Sequence, residues 1–319
     1  MQQADRYSLP MIAALGIALT MPQCTISSSL EPQEPISNLK TLPSLTQPSF
    51  EQQAWPNEVQ PVAQIYIVTI PPGHPIDVAA STDLQTVEEF AAEHNALAVI
   101  NGGFFDPNNG QTTSFVMING ALVADPRENK RLINNPALDA YIDKILNRSE
   151  FRRYQCGDDI HYDITFHNAA LPDNCILHSA LGAGPQLLPT DTSQTEGFTD
   201  YADGHLTRDA IGSQQPNARS AVGIKEDGTV VWVMVAQADA TGGMTLGELA
   251  EFMAKLNVQQ ALNLDGGSSS SLNVDQQLNS SAASSTTVST TRAPSTYPSL
   301  NSRPVKSVLL LPQQSIPKN

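Results

Sequence analysis

The stretch Thr245-Leu-Gly-Glu-Leu-Ala-Glu-Phe-Met-Ala-Lys-Leu-Asn257, followed by Val258-Gln-Gln-Ala-Leu-Asn-Leu-Asp265-Gly266-Gly267, decides the reading of this chain. Thr245 and Glu248 have the Thr-x-x-Glu spacing of a capping box, so a helix is expected to start there and to run to about Asn257. The apolar run Ala261–Leu264 then reads as a buried strand that stops at a carboxylate and turns through two glycines. The same order occurs once before: Thr86-x-x-Glu89 opens a helix to about Asn95, and ALAVI ends at Asn101-Gly102-Gly103. Two capped helix-strand units, each ending in Asn-Gly-Gly or Asp-Gly-Gly, predict an internal duplication or two equivalent corners of one mixed sheet. Chance recurrence of a common helix-strand unit is the alternative.

Around these units the chain alternates strand-like runs with turn signals. QIYIVTI (64–70) is followed by SFVMI-Asn119-Gly120-ALVA and by SAVGI-KEDG-TVVWVMVA, whose Asn-Gly pair and Lys225–Gly228 turn predict hairpins. The fold class expected is α+β: one catalytic domain with a mixed, mostly antiparallel sheet, hairpins and a few packed helices. With 319 residues and 40% apolar content the chain can bury an ordinary core. Its formal charge of −15 on 17 basic residues argues against nucleic acid as a partner.

Residues 1–23 read as a signal peptide or N-terminal anchor, because Leu9–Met21 is an uncharged apolar run shorter than a bilayer-spanning helix needs. A membrane tether through this segment is the accompanying expectation. Residues 24–61, rich in Pro, Ser, Gln and Thr, read as a disordered tether. The domain proper is expected over 62–312, with a flexible Ser/Thr-rich insertion at about 275–300 before a last apolar run, Val305–Leu311. Cys156 and Cys175 bracket a short segment and can pair in an oxidising compartment; two reduced core thiols are the alternative. No Cys or His spacing matches a zinc site, so neither a metal nor a cofactor is expected.

Chemistry concentrates at the strand ends. A carboxylate on a glycine turn, Asp265-Gly266-Gly267-Ser268, sits where backbone amides can open toward an anion. Asn101-Gly102-Gly103-Phe104-Phe105 offers an amide and two rings that can stack on a sugar. Gly184-Pro185 marks a third place of close backbone approach. Arg219 opens an apolar strand, from whose end a guanidinium can meet a phosphate in bidentate fashion, with a surface salt bridge as the plain alternative. The serines 268–271 lack the Gly-x-Ser-x-Gly elbow of a serine hydrolase.

Taken in order, AVINGGFFDP, GAGPQLL, RSAVG and ALNLDGGSSSSL resemble the phosphodiester glycosidase family over roughly Val62–Leu311. The resemblance implies hydrolysis of a sugar-1-phosphodiester to free sugar and phosphomonoester; an envelope or extracellular glycan is the expected substrate. It carries over to Asn101, Gly102, Gly103, Phe104, Gly184, Pro185, Arg219, Asp265, Gly266 and Gly267. Ser268 stands where many relatives have a third glycine, and Gln237–Ala240 replaces an Asp-Gly-Arg type of turn. On this basis Asp265 is expected to act as acid/base or nucleophile, Arg219 and the glycine amides to bind phosphate, and Asn101 to hold sugar hydroxyls. Asp239 is the candidate second carboxylate, since glycosidases commonly use two. A glycan- or peptidoglycan-binding envelope protein that does not cleave would use the same corners.

Overall fold

In chain order the strands are β1 (Ser49–Trp55), β2 (Ala63–Ile70), β3 (Asp77–Gln85), β4 (Ala96–Asn101), β5 (Val116–Ile118), β6 (Ala121–Ala124), β7 (Ser149–Cys156), β8 (Asp159–Phe166) and β9 (Ile176–Gly182). They continue as β10 (Gln186–Leu188), β11 (Thr199–Ala202), β12 (His205–Asp209), β13 (Arg219–Lys225), β14 (Val230–Gln237), β15 (Val258–Asn263), β16 (Leu272–Val274) and β17 (Val305–Pro312). Helix α1 (Val87–His94) precedes β4, the short helices α2 (Lys130–Ile133) and α3 (Ile142–Ile145) follow β6, and α4 (Leu246–Lys255) precedes β15. This is a computed structural model, and it describes residues 47–278 and 303–313.

The strands form a six-stranded sheet β1-β2-β14-β13-β15-β10, a four-stranded sheet β16-β4-β17-β3, a five-stranded sheet β6-β5-β9-β7-β8 and the small ribbon β11-β12. Each described ladder between named strands is antiparallel. The α+β architecture and both expected hairpins, β5-β6 and β13-β14, are therefore present.

Both capping boxes form: Thr86 with Glu89 opens α1, and Thr245 with Glu248 opens α4. Each helix covers the outer face of a different sheet. Leu246, Leu249, Phe252 and Met253 of α4 pack on Ile65, Ile67, Val231, Val233 and Val235 of the six-stranded sheet. Val87 and Phe90 of α1 pack on Val99, Val308 and Leu310 of the four-stranded sheet. The opposite strand faces meet in a central core that includes Val68, Ile100, Phe151, Leu181, Trp232, Leu262 and Leu309. Strands clothed on both faces need apolar residues at every position, which is why VVWVMV and SVLLL read as continuous apolar runs. Strands β4 and β15 thus lie in two sheets, each beneath its own helix, and not at two corners of one sheet.

The expected tether to residue 61 is too long. Ser49–Trp55, inside it, pairs with β2 along its whole length. Phe50 is buried in the central core, and Trp55 meets Phe252 of α4 edge-on at 5.8 Å. Covering the otherwise open edge of β2 compensates for a strand with three consecutive polar residues, Glu51–Gln53. Residues 1–46 and 279–302, which hold the expected leader and most of the Ser/Thr-rich insertion, lie outside the described residues. No helix among the described residues is long and apolar enough to cross a membrane. Cys156, at the end of β7, forms a disulfide with Cys175, just before β9.

Candidate active site

The two glycine corners meet. Asp265 N–H donates to Gly102 O at 3.0 Å, and Asn101 Nδ2 donates to Asp265 O at 2.7 Å, so the ends of β4 and β15 are tied together across the two sheets. Asn101 Oδ1 accepts from Ser220 Oγ at 2.6 Å and from Ser271 N at 3.0 Å. With no exposed surface, Asn101 holds backbone and does not face a sugar. Its role as a hydroxyl ligand is corrected accordingly: it positions Asp265.

Asp265 itself stays half-buried at the head of the turn. Burial pushes its carboxyl up to about 6, against the opposing pull of the Ser269 hydroxyl, the Arg303 charge and the Gly266 amide. A carboxyl near 6 holds its proton for a useful fraction of the time near neutrality, the condition of a general acid.

Arg219 does not reach a ligand. Its side chain is 2% exposed. Four of its N–H groups donate to backbone carbonyls: Nε to Met244, Nη1 to Ile211, and Nη2 to both Gly212 and Gln215. Desolvation lowers its pKa to about 10. The arginine is a buried staple that shapes the 211–215 loop under Gly266, from which a Cβ would lie 3.8 Å from its Nη1.

The cation at the turn is Arg303, two residues before β17. Its Nη1 donates to Ser268 Oγ at 2.5 Å, its guanidinium lies 5.4 Å from the Phe105 ring centroid, and its charge acts on Asp265. Sequence reasoning passed over it because it closes a Ser/Thr-rich stretch; the signal was its place immediately before the last apolar strand, antiparallel to the strand that ends at Asn101. A second arginine was also missed. Arg148 stacks at 3.7 Å over Phe198 and 6.0 Å from Phe104, and burial lowers its pKa to about 10 although Glu196 opposes the shift.

The glycines divide into two groups. Gly102 and Gly103 are enclosed: their N–H groups donate to Ser307 O and Ser307 Oγ, and a Cβ on Gly103 would stand 2.1 Å from Gly182 O. Gly184 is equally closed, since a Cβ there would come within 2.3 Å of the buried Glu196 carboxylate, and its carbonyl accepts from Asn263. Gly184 and the cis-linked Pro185 therefore shape the floor through β15 and leave no backbone open to a ligand. Gly266, Gly267 and the exposed Ser268 form the accessible rim. Phe105 is buried beneath Arg303, while Phe104 stays half-open beside the Arg148–Phe198 pair, with its ring centroid 5.5 Å from that of Phe198.

Asp239 does not join the site. It is exposed, and its carboxylate caps its own turn by accepting from Thr241 N and Oγ1, both at 2.8 Å; these bonds hold its pKa below the usual range. No cluster of His, Cys, Asp and Glu among the described residues could hold a metal ion.

The phosphodiester glycosidase family model matches residues 94–311, more than half of the chain and both corners. The chain belongs to the phosphodiester glycosidase family. No curated protein matches it. Among solved structures it is similar to the zebrafish N-acetylglucosamine-1-phosphodiester alpha-N-acetylglucosaminidase catalytic domain auto-inhibited by its pro-peptide, at 18% identity and TM-score 0.53, over 83% of this chain and 89% of that one. A putative exported protein from Burkholderia pseudomallei is similar at 16% identity and TM-score 0.50, over 81% and 75%. Both likenesses are of fold. As a phosphodiester glycosidase family member the chain falls among glycosidase-type hydrolases.

Proposed function

We propose that this chain hydrolyses a sugar-1-phosphodiester on an envelope or extracellular glycan, with Asp265 as its acid/base residue. The observation that carries the reading is a carboxyl pushed up to about 6 beside an arginine at the meeting point of two strand ends. Protonated Asp265 gives its proton to the bridging ester oxygen as the bond from the anomeric carbon to that oxygen breaks. Water adds to the anomeric carbon and returns a proton to the carboxylate. The products are the free sugar and the phosphomonoester, so atoms and charge balance.

A phosphomonoester leaves readily, so one well-placed acid with a cation on the phosphate meets the chemical need. Arg303 and Ser268 are the grip, with the Gly266–Gly267 turn beside them. Phe104, a half-exposed ring tilted 48° against Phe198 and 6.0 Å from the Arg148 guanidinium, offers a face to the sugar. We also place the chain outside the cytoplasm. The disulfide between Cys156 and Cys175 suits an oxidising compartment, and a similar structure is that of a putative exported protein.

Hydrolysis in oxygen-18 water tests the reading. Label in the released sugar is the expected result, because it reports cleavage at carbon. Label in the phosphate reports phosphodiesterase chemistry and would overturn it.

A further inference from the structure

Arg148 stands immediately before β7, with its guanidinium 3.7 Å over the Phe198 ring and 6.0 Å from that of Phe104. Two routes join this stack to the Asp265 turn. Phe104 comes two residues after Gly102, whose carbonyl accepts from the Asp265 amide at 3.0 Å. Phe198 packs against Gly184, where a Cβ would stand 2.9 Å from its ring, and Gly184 N–H donates at 2.9 Å to the carbonyl of Asn263, two residues before Asp265.

Other sheltered arginines of the fold are tied to protein. Arg219 donates to four carbonyls, and Arg152 donates to Glu150, to the Tyr154 hydroxyl and to three carbonyls. Arg148 makes one such bond, from Nε to Glu196 O at 3.2 Å. Its Nη1 and Nη2 have no protein partner among the described residues and, unlike the shut-in Arg153 Nε, keep open surface.

The charge of Arg148 is also poorly matched. Glu196 acts on it, but that carboxylate takes Ser149 N, Ser149 Oγ, Gln186 N and Thr192 Oγ1 and forms no ion pair with it. The charge of Arg208 opposes it; Arg208 donates from Nε to Gly197 O at 3.0 Å and lies 4.3 Å from the Tyr141 ring. Asp200, opposite Arg208 in the β11-β12 ribbon, accepts from the Tyr141 hydroxyl and from Tyr201 N, both at 2.9 Å. Neither Arg148 nor Arg208 has an ion pair among the described residues. A guanidinium withdrawn from water and left unpaired is unfavourable, and its two free Nη groups match the paired oxygens of a carboxylate or sulfate. An uncharged hydroxyl would leave both cations unopposed.

We propose that Arg148 is a specificity-determining residue, binding an anionic substituent of the sugar that lies on Phe104, so that the preferred substrate is an acidic sugar-1-phosphodiester. The position of the sugar rests on the function proposed above; the preference for charge does not require cleavage. Arg303, set against Phe105, is the arginine whose charge acts on Asp265, whereas Arg148 stands beside Phe104 under the influence of Glu196 and Arg208. Phosphate and the second anion therefore go to different guanidiniums. Arg208 strengthens the positive field at Arg148 without touching the sugar.

The test compares methyl 1-phosphodiesters of glucose and galactose, in both anomers, with the matching uronates and 6-sulfates. Binding is measured on full-length Asp265→Asn, and turnover on the parent. At least one acidic ligand is expected to bind about tenfold or more tighter than its neutral counterpart, an advantage that shrinks at high salt. Adding Arg148→Gln should abolish the advantage while neutral affinity stays within about twofold, and Arg148→Lys should regain part of it. Arg208→Gln should weaken the advantage by roughly two- to threefold, and with the salt dependence it carries the test if Arg148→Gln does not fold. The uronate and sulfate arms tell which anion is taken. The proposal is overturned if no acidic ligand outbinds its neutral counterpart, or if Arg148→Gln weakens neutral and acidic ligands alike, which would make Arg148 a ligand of the shared phosphate. A charge preference that depends on Arg148 in a parent that cleaves none of these compounds would count against hydrolysis alone, and cleavage with equal kcat/KM for neutral and acidic partners would count against the subsite alone.

Discussion

Asn101 Nδ2 and the carbonyl oxygen of Asp265 stand 2.7 Å apart, and this bond makes the amide of one corner the support of the other. The Asn101 carboxamide also receives the Ser220 hydroxyl and the Ser271 amide, so one buried side chain fixes both sides of the Asp265 turn. Asn101→Ala leaves two donors and a carbonyl unpaired in a closed space. The expected cost is about 1–3 kcal/mol in denaturant unfolding. Turnover should fall on the order of 10–100-fold with KM little changed, because the acid is displaced and the substrate contacts are not. A large rise in KM at constant kcat would return Asn101 to the role of sugar ligand.

Asp265 should leave a signature in both rate and stability. As a general acid it must be protonated, so kcat/KM is expected to decline as pH rises through about 6, and Asp265→Asn should lose about 10²–10⁴-fold. The stability sign is the reverse of that for a salt-bridged carboxylate. The folded pKa lies above the unfolded value, so the folded chain binds more protons between the two, and stability present below about 4 is lost as pH rises through about 6. The loss is roughly 2–3 kcal/mol. Asp265→Asn, which cannot ionise, should therefore unfold later than the parent at pH 8 and alongside it at pH 4, as read by thermal melts at both values.

The periodic features of the chain were legible from sequence: two capping boxes, two hairpin turns, and strand runs ending on glycine pairs all occur where the residues place them. Local chemistry determines these, so local sequence discloses them. What failed was long-range. Glu51-Gln-Gln53 carries no apolar signal, and only the open edge of β2 makes a strand of it. Arg219 looked like a phosphate ligand because cations are scarce, but a guanidinium at a strand end serves backbone carbonyls as readily as phosphates, and four carbonyls converge on it here. Arg303 stands 38 residues beyond Asp265 in sequence and reaches the turn only because β17 runs beside β4.

The contrast between those two arginines is open to direct measurement. Arg219→Met removes three bonds to the 211–215 loop and one to Met244, and should destabilise the fold by roughly 3 kcal/mol or more. Arg303→Ala removes a bond to a rim serine, so its stability should stay within about 1 kcal/mol of the parent. Its KM for a sugar-1-phosphodiester should rise instead, and Arg303→Lys should recover part of the loss through charge alone. Equal unfolding midpoints for Arg219→Met and the parent would contradict the buried staple, and an unchanged KM in Arg303→Ala would remove it from the phosphate grip.

The two kinds of glycine at the corners should respond differently to one added carbon. At Gly103 a Cβ meets Gly182 O at 2.1 Å, a backbone atom that cannot move without shifting β9, so Gly103→Ala should cost roughly 3 kcal/mol or more or fail to fold. At Gly266 the nearest atom is Ala218 O at 3.3 Å, and φ is −112°, so alanine fits with a small adjustment. Gly266→Ala should melt close to the parent while its methyl group narrows the rim beside Ser268, and the expected change is a higher KM at near-parental kcat. A Gly266→Ala protein with parental KM would mean that substrate does not approach along this turn, and a parental melt for Gly103→Ala would mean that β4 and β9 pass with more room than the 2.1 Å approach allows.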